Sequence, residues 1–193
     1  MINKYLASQI KLNFPFNPTI EQKKTIDRLS EFLLSDNDRK VFLLCGYAGT
    51  GKTSLISALV RTMEQLERKT VLLAPTGRAA KVFSSYSGKS AHTIHKCIYR
   101  QKSIMDNSVF TLTENRAQNT LFIVDEASMI SNDGNPMTCS NGLLDDLIEF
   151  VYSGRGCSML LLGDTAQLPP VGEMQSPALT ESYLRSMFLD VTS

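Results

Sequence analysis

Four short apolar runs punctuate the chain, at residues 41–45, 71–74, 121–124 and 159–162. They are continuous rather than alternating, as expected of strands buried on both faces of a parallel sheet. Each is followed by small or polar residues: Gly46, then Pro75-Thr76-Gly77, Asp125-Glu126, and Gly163-Asp164. Stretches of helical period lie between and before them. The first covers residues 20–34, with Ile26, Leu29, Phe32 and Leu33 as its apolar stripe. Thr19 and Gln22 fit a capping box at its start. A second presents Leu55, Ile56, Leu59, Val60, Met63 and Leu66. Another starts after Thr76 and stops near Gly88, and a further one covers residues 143–152. Residues 131–142 are rich in Ser, Asn, Asp and Gly and read as an exposed loop. Residues 97–119 are less regular, and Val109-Phe110-Thr111-Leu112-Thr113 fits a strand of a small hairpin. With no internal repeat and no low-complexity linker, residues 1–193 read as one α/β domain. It is expected to have a parallel sheet with helices on both faces and a small insertion near 97–119.

Composition narrows the class without naming a ligand. Lys and Arg total 20 and Asp and Glu 19, so the net charge is +1. That balance does not advertise nucleic acid, and it leaves room for a local basic track. The longest apolar runs are of strand length, so no membrane span is expected. Residues 1–14 lack the apolar core of a signal peptide. The four cysteines, Cys45, Cys97, Cys139 and Cys157, form no C-x-x-C pair, which argues against a structural zinc site. They read as reduced thiols of a cytoplasmic protein. Cys45 is expected to pack as a small hydrophobe at the end of its strand.

The chemistry concentrates at the strand ends. Gly46-Tyr47-Ala48-Gly49-Thr50-Gly51-Lys52-Thr53 follows the first apolar run and opens the Leu55 helix. This G-x-x-x-x-G-K-[ST] pattern lies in a strand–turn–helix context and cradles phosphates with backbone N–H groups and a helix N-terminus. Lys52 would reach the β- and γ-phosphates, and the Thr53 hydroxyl would bind Mg²⁺. Asp125 ends an apolar strand, as an acid that holds Mg²⁺ does. Glu126 beside it is a candidate base for an attacking water. Because strand side chains alternate, the two carboxylates are expected to diverge. Gln167 follows the fourth run and has the donor and acceptor needed to sense a γ-phosphate or orient water. In open α/β sheets ligands bind beyond the carboxyl ends of the strands, where all four clusters lie.

Together these motifs resemble superfamily-one DNA helicases of the RecD/Dda-like 5′-to-3′ branch, over nearly the whole chain. Residues 46–53 resemble motif I, and residues 74–81 motif Ia. Ala91-His92-Thr93-Ile94-His95-Lys96 resembles motif Ib, residues 124–130 motif II, and residues 163–171 motif III. The resemblance implies a RecA-like P-loop NTPase fold and ATP with Mg²⁺ as ligands. Its ATP-binding set is Gln22, Gly46, Ala48, Gly49, Thr50, Gly51, Lys52, Thr53 and Ser54. Lys52, Asp125, Glu126 and Gln167 take catalytic roles, and Thr53 and Asp125 hold the metal. Pro75, Thr76, Gly77 and Arg78, with His92, Thr93 and His95 nearby, would line a single-stranded DNA track. His92 and His95 are open to a capping, packing or metal role as well. Gln22 resembles the adenine-reading glutamine of these helicases, which competes with its capping role. The segment 97–119 matches the position of the strand-separating pin.

The resemblance stops at motif III. Full helicases carry a second RecA-like domain with arginines that contact the γ-phosphate, worth about 10³–10⁵ in rate where such a residue is supplied. The chain is therefore expected to be a truncated form of a longer helicase. By itself it would bind ATP·Mg²⁺ weakly and hydrolyse it poorly. In the whole protein, hydrolysis would drive movement along single-stranded DNA in repair or recombination. A nuclease or recombination partner is left open. So are two other readings, a non-motor P-loop ATPase and a DNA-binding module that uses nucleotide only for stability.

Overall fold

The computed structural model describes residues 2–101, 110–131, 142–167, 170, 175–187 and 189–193. Helices α1 (Ile2–Leu12) and α2 (Ile20–Leu34) precede β1 (Lys40–Cys45). Then come α3 (Lys52–Gln65), β2 (Lys69–Ala74), α4 (Gly77–Ser87), β3 (Ala91–Thr93), α5 (Ile94–Ile98), β4 (Tyr99–Gln101) and β5 (Phe110–Leu112). The remainder is β6 (Thr120–Val124), α6 (Leu143–Ser153), β7 (Ser158–Gly163), α7 (Glu181–Ser186) and β8 (Asp190–Thr192). Short 3₁₀ turns cover Ala127–Met129 and Pro177–Leu179.

Six strands form one sheet in the order β3-β2-β6-β7-β1-β8, and every pairing within it is parallel. The four apolar runs are its four central strands, and β3 and β8 flank them. The sheet is all-parallel because helices cross between strands and cover both faces. Successive residues on each central strand serve opposite cores. Phe42, Leu72, Leu121, Ile123, Leu160 and Leu162 meet residues of α1, α2 and α3, together with Phe83 of α4. Val41, Leu43, Leu73, Phe122, Val124, Met159 and Leu161 meet residues of α5, α6 and α7. Burying a large apolar side chain fully is worth roughly 1.5–3 kcal/mol. These two layers therefore hold the strand ends in place.

The capping box at α2 forms: Gln22 N–H donates to Thr19 Oγ1 at 3.2 Å and Thr19 N–H to Gln22 Oε1 at 2.9 Å. At its other end, Lys40 Nζ donates to Phe32 O at 2.7 Å and to Ser35 O, a cation seated at the helix C-terminus. Desolvation lowers the Lys40 pKa. Helix α1 buries Leu6, Ala7 and Ile10. Its C-terminal Asn13 donates to Thr62 Oγ1 at 3.0 Å and to Gln65 Oε1 at 2.8 Å, joining it to α3. Within the irregular segment 97–119, β4 and β5 pair antiparallel with Arg100 opposite Thr111. Residues 102–109 and 132–141 lie outside the described residues. So do Leu168, Pro169 and Val171 of the motif around Gln167.

Candidate nucleotide site at the carboxyl edge of the sheet

The turn after β1 is built for an anion. Gly49 and Gly51 take φ of 80° and 90°, in the left-handed region that favours glycine. A Cβ on Gly51 would run into the Gln22 amide nitrogen, whereas Gly49 faces open space. Gly51 is the N-cap of α3 and no side chain caps it. The first-turn N–H groups of Lys52, Thr53 and Ser54 therefore sit at a positive helix end without a capping side chain. Thr50 closes the turn by N–H and hydroxyl bonds to Tyr47 O, at 3.3 and 2.8 Å. Lys52 Nζ donates to Gly46 O and, at 2.9 Å, to Tyr47 O, so its ammonium lies over the loop. This donor set suits a polyphosphate.

Gln22 takes the capping role, and its amide also ties α2 to the loop after β1. Its oxygen completes the capping box, and its nitrogen donates to Thr50 O at 3.1 Å. A glutamine amide offers two donors and two lone pairs. One of each is used, and one of each remains.

Asp125 follows β6, and its N–H still donates to Leu73 O of β2 at 2.9 Å. Its Oδ1 accepts the Glu126 N–H at 2.9 Å and its Oδ2 accepts the Tyr86 hydroxyl at 2.7 Å. The strand alternation expected to separate the two carboxylates does not extend to them. β6 ends at Val124, and Glu126 takes φ 54° and ψ 38°, a left-handed conformation uncommon for a non-glycine residue. The following turn buries Ser128, whose Oγ lies 2.7 Å from Gln167 Oε1 and donates to it. Gln167 itself stands in a tight turn: its N–H donates to Asp164 O at 3.1 Å, and Ala166 N–H to Asp164 Oδ1 at 2.9 Å. Asp164 is buried and holds that turn. A cavity of about 310 Å³ opens here, lined by Ser128, Asp164, Gln167, Ser176 and Thr180 among others. A larger one, about 760 Å³, lies at the opposite edge, where Lys40, Lys69, Thr120 and Ser158 begin their strands.

Strand order sets the remaining distances. From β1 to β2 there are three strand spacings, roughly 14 Å. Beyond β2, Thr76 caps α4 by accepting from Ala79 N–H at 3.1 Å, and Thr93 caps α5 by accepting from Lys96 N–H at 3.2 Å. Each hydroxyl keeps its own proton for another acceptor. Ala74 pairs with Thr93, so the two capped turns are neighbours. Thr76, Gly77, Arg78, His92 and His95 are exposed around them, and Pro75 is half-buried. The His95 ring also rests against Tyr99 at 5.7 Å, and partial burial lowers its pKa. Among the described residues no group of three His, Cys, Asp or Glu side chains could hold a metal. Cys45 is exposed rather than packed, because β1 delivers it to the open edge beside Gly46.

Tyr86, Ser128 and Asp164 join the site without having been singled out in the sequence. Ser128 and Asp164 lie inside recognised motifs, so their position was the signal. Tyr86 had none, since its contact with Asp125 depends on how α4 crosses the sheet.

Fold and site define a P-loop, nucleotide-binding α/β protein. The family model described as AAA domain matches residues 21–181, and the chain belongs to that family. An uncharacterized protein of Acanthamoeba polyphaga mimivirus is 30% identical, over 81% of this chain and 34% of its own length. The ATP-dependent RecD2 DNA helicase of Deinococcus radiodurans is 32% identical, over 78% of this chain and 18% of its own. The ATP-dependent DNA helicase dda of Enterobacteria phage T4 is 29% identical, over 74% of this chain and 30% of its own. The chain thus spans between 13% and 34% of the length of the curated relatives it matches. Motifs and matches agree on a RecA-like domain of the superfamily-one helicase type. No described helix is long and apolar enough to cross a membrane.

Proposed function

We propose that this chain is the ATP-binding motor domain of a DNA helicase, coupling ATP hydrolysis to movement along single-stranded DNA in the whole protein. One observation carries the reading. A single sheet edge bears the phosphate-type loop after β1, the acids after β6, Gln167 after β7, and two capped turns with free hydroxyl protons after β2 and β3. The residues from Gly46 to Ser54, with Lys52, hold the triphosphate by backbone N–H groups and one ammonium. Gln22 offers its remaining donor and acceptor to the base. Thr53 and Asp125 would hold Mg²⁺, which when bound neutralises charge on the phosphate oxygens. Glu126 accepts a proton from the attacking water. Gln167, held by Ser128, couples the state of the nucleotide to the turns that carry Thr76 and Arg78. Those turns, with Pro75, Gly77, His92, Thr93 and His95, grip a phosphate backbone through hydroxyl, N–H and guanidinium donors.

The decisive assay is ATP hydrolysis by the full-length protein with and without single-stranded DNA. Wild type should be stimulated by DNA. K52A should lose roughly 100-fold or more in turnover. Q167A should still bind ATP but lose most of the stimulation. Unchanged stimulation in Q167A sinks the coupling role. A wild type indifferent to DNA points to a non-motor ATPase instead.

A further inference from the structure

Asp125 is held by an unexpected partner. Its Oδ2 accepts the phenolic proton of Tyr86 at 2.7 Å, while Oδ1 is committed to the Glu126 N–H. Each oxygen keeps a second lone pair, so the carboxylate is oriented without being used up. Tyr86 is itself fixed on two further sides. Its ring stacks on Phe83, which is fully buried, with centroids 5.2 Å apart, and its carbonyl accepts from Ser57 Oγ of α3 at 2.7 Å. It sits in the last turn of α4, the helix that Thr76 caps and that carries Arg78 in its first turn. Eleven residues at 1.5 Å of rise make α4 about 16 Å long. One rigid helix therefore spans from the exposed Thr76-Arg78 end to the site carboxylate.

We propose that Tyr86 is a positioning residue for Asp125, fixing the carboxylate for a divalent cation and making α4 a shared element of the nucleotide site and the Thr76-Arg78 turn. The proposal rests on the reading of Asp125 as a metal-holding acid. A tyrosine phenol, with an ordinary pKa of about 10, carries its proton at neutral pH and so donates to the carboxylate. Partners that orient a metal-holding group typically change metal affinity or activity 10–100-fold when removed.

The test is Mn²⁺ binding, followed by electron paramagnetic resonance, to the full-length protein saturated with a non-hydrolysable ATP analogue. Y86F deletes one oxygen and keeps the stacked ring. Its Mn²⁺ affinity should fall about 10-fold, while nucleotide affinity in EDTA stays within about twofold of wild type. F83L loosens the same packing but keeps the hydroxyl. It should melt at a lower temperature with Mn²⁺ affinity near that of wild type. The proposal is overturned by a Y86F affinity within about twofold of wild type, or by an F83L loss as large as that of Y86F. A wild type that binds no nucleotide in EDTA overturns the phosphate-loop reading beneath it. Nucleotide binding with unaltered Y86F metal affinity overturns the role of Tyr86 alone.

Discussion

Gln22 can be dissected because its two ends do different work. Its oxygen caps Thr19 N–H, and its nitrogen anchors Thr50 O of the phosphate-type loop. Q22A removes both. Losing half of a capping box costs about 0.5–1 kcal/mol, and an exposed neutral hydrogen bond about 0.5 kcal/mol more. The sum, about 1–1.5 kcal/mol, lowers Tm by about 2–6 °C in a chain of this size. Q22E keeps the capping acceptor and deletes only the donor. It also places a carboxylate in the first turn of α2, where a negative charge gains about 0.3–1 kcal/mol. Q22E should therefore melt within about 2 °C of wild type.

Nucleotide binding should order the variants differently. If the free donor and acceptor of Gln22 read adenine, then Q22A and Q22E both lose preference for ATP over GTP. A lost base contact of about 1–2 kcal/mol corresponds to roughly 5–30-fold. The assays are thermal melting by circular dichroism and competition of ATP and GTP against a fluorescent nucleotide. Q22E that melts like wild type and keeps its full ATP preference refutes the base contact. Q22A that melts like wild type refutes the capping estimate.

Two further predictions concern the folded chain itself. Glu67 follows the C-cap of α3 at φ 54°, and its neighbour Arg68 donates to Met63 O at 2.8 Å, so the helix ends in a left-handed residue. Relief of about 1–2 kcal/mol of left-handed strain, less about 0.4–1 kcal/mol of added unfolded-state entropy, predicts that E67G raises stability by about 0.5–1 kcal/mol, read as a Tm gain in a melt. His95 has a lowered pKa in the folded state, so below the usual histidine value of about 6.5 the unfolded chain binds more protons. The stability tied to its neutral form is fully present above that pH and is lost as pH falls towards the folded value. A series of melts from pH 7.5 to about 5 should show a small decline, less steep in H95Q; equal slopes would remove His95 as the cause.

The central sheet was legible because residues 41–45, 71–74, 121–124 and 159–162 are apolar without interruption, and only a strand covered on both faces tolerates that. β3 is less legible. At three residues it lies at the sheet edge, and its pairing with β2 does not follow from its own pattern. α1 was read only for what it was not. Its buried residues Leu6, Ala7 and Ile10 do form a stripe, but Ile2, Tyr5 and Leu12 outside it are exposed and blur the contrast. At the candidate site, Gly51 was legible because its left-handed backbone favours glycine. Side-chain partnerships between distant elements were not. Tyr86 and Asp125 are 39 positions apart, and so are Ser128 and Gln167. Cys45 shows the same boundary, since an apolar run cannot say which of its residues reaches the open edge.

The order of strands explains why Asp125, Glu126 and Gln167 stand between the loop after β1 and the Thr76 turn. β1 is followed in sequence by β2, yet the chain leaves two places vacant between them in the sheet. A crossover through α3 spans that gap. The vacancy is then filled from later sequence by β6 and β7. β6 inserts Asp125 and Glu126 next to β2, and β7 inserts Asp164 and Gln167 next to β1. Had β2 paired directly with β1, the phosphate-type loop and Thr76 would be about 5 Å apart, with no strand ends between them. The skipped places bring the Ser128–Gln167 bond and the Tyr86–Asp125 bond into the interval. Two independent side-chain links therefore connect the strand ends around Asp125, one towards β7 and one towards α4. In the scheme proposed above, a change at the nucleotide would reach Thr76 through Asp125 and α4, by one hydrogen bond and one helix. That economy makes Y86F a sharper probe of coupling than any substitution on the exposed turn itself.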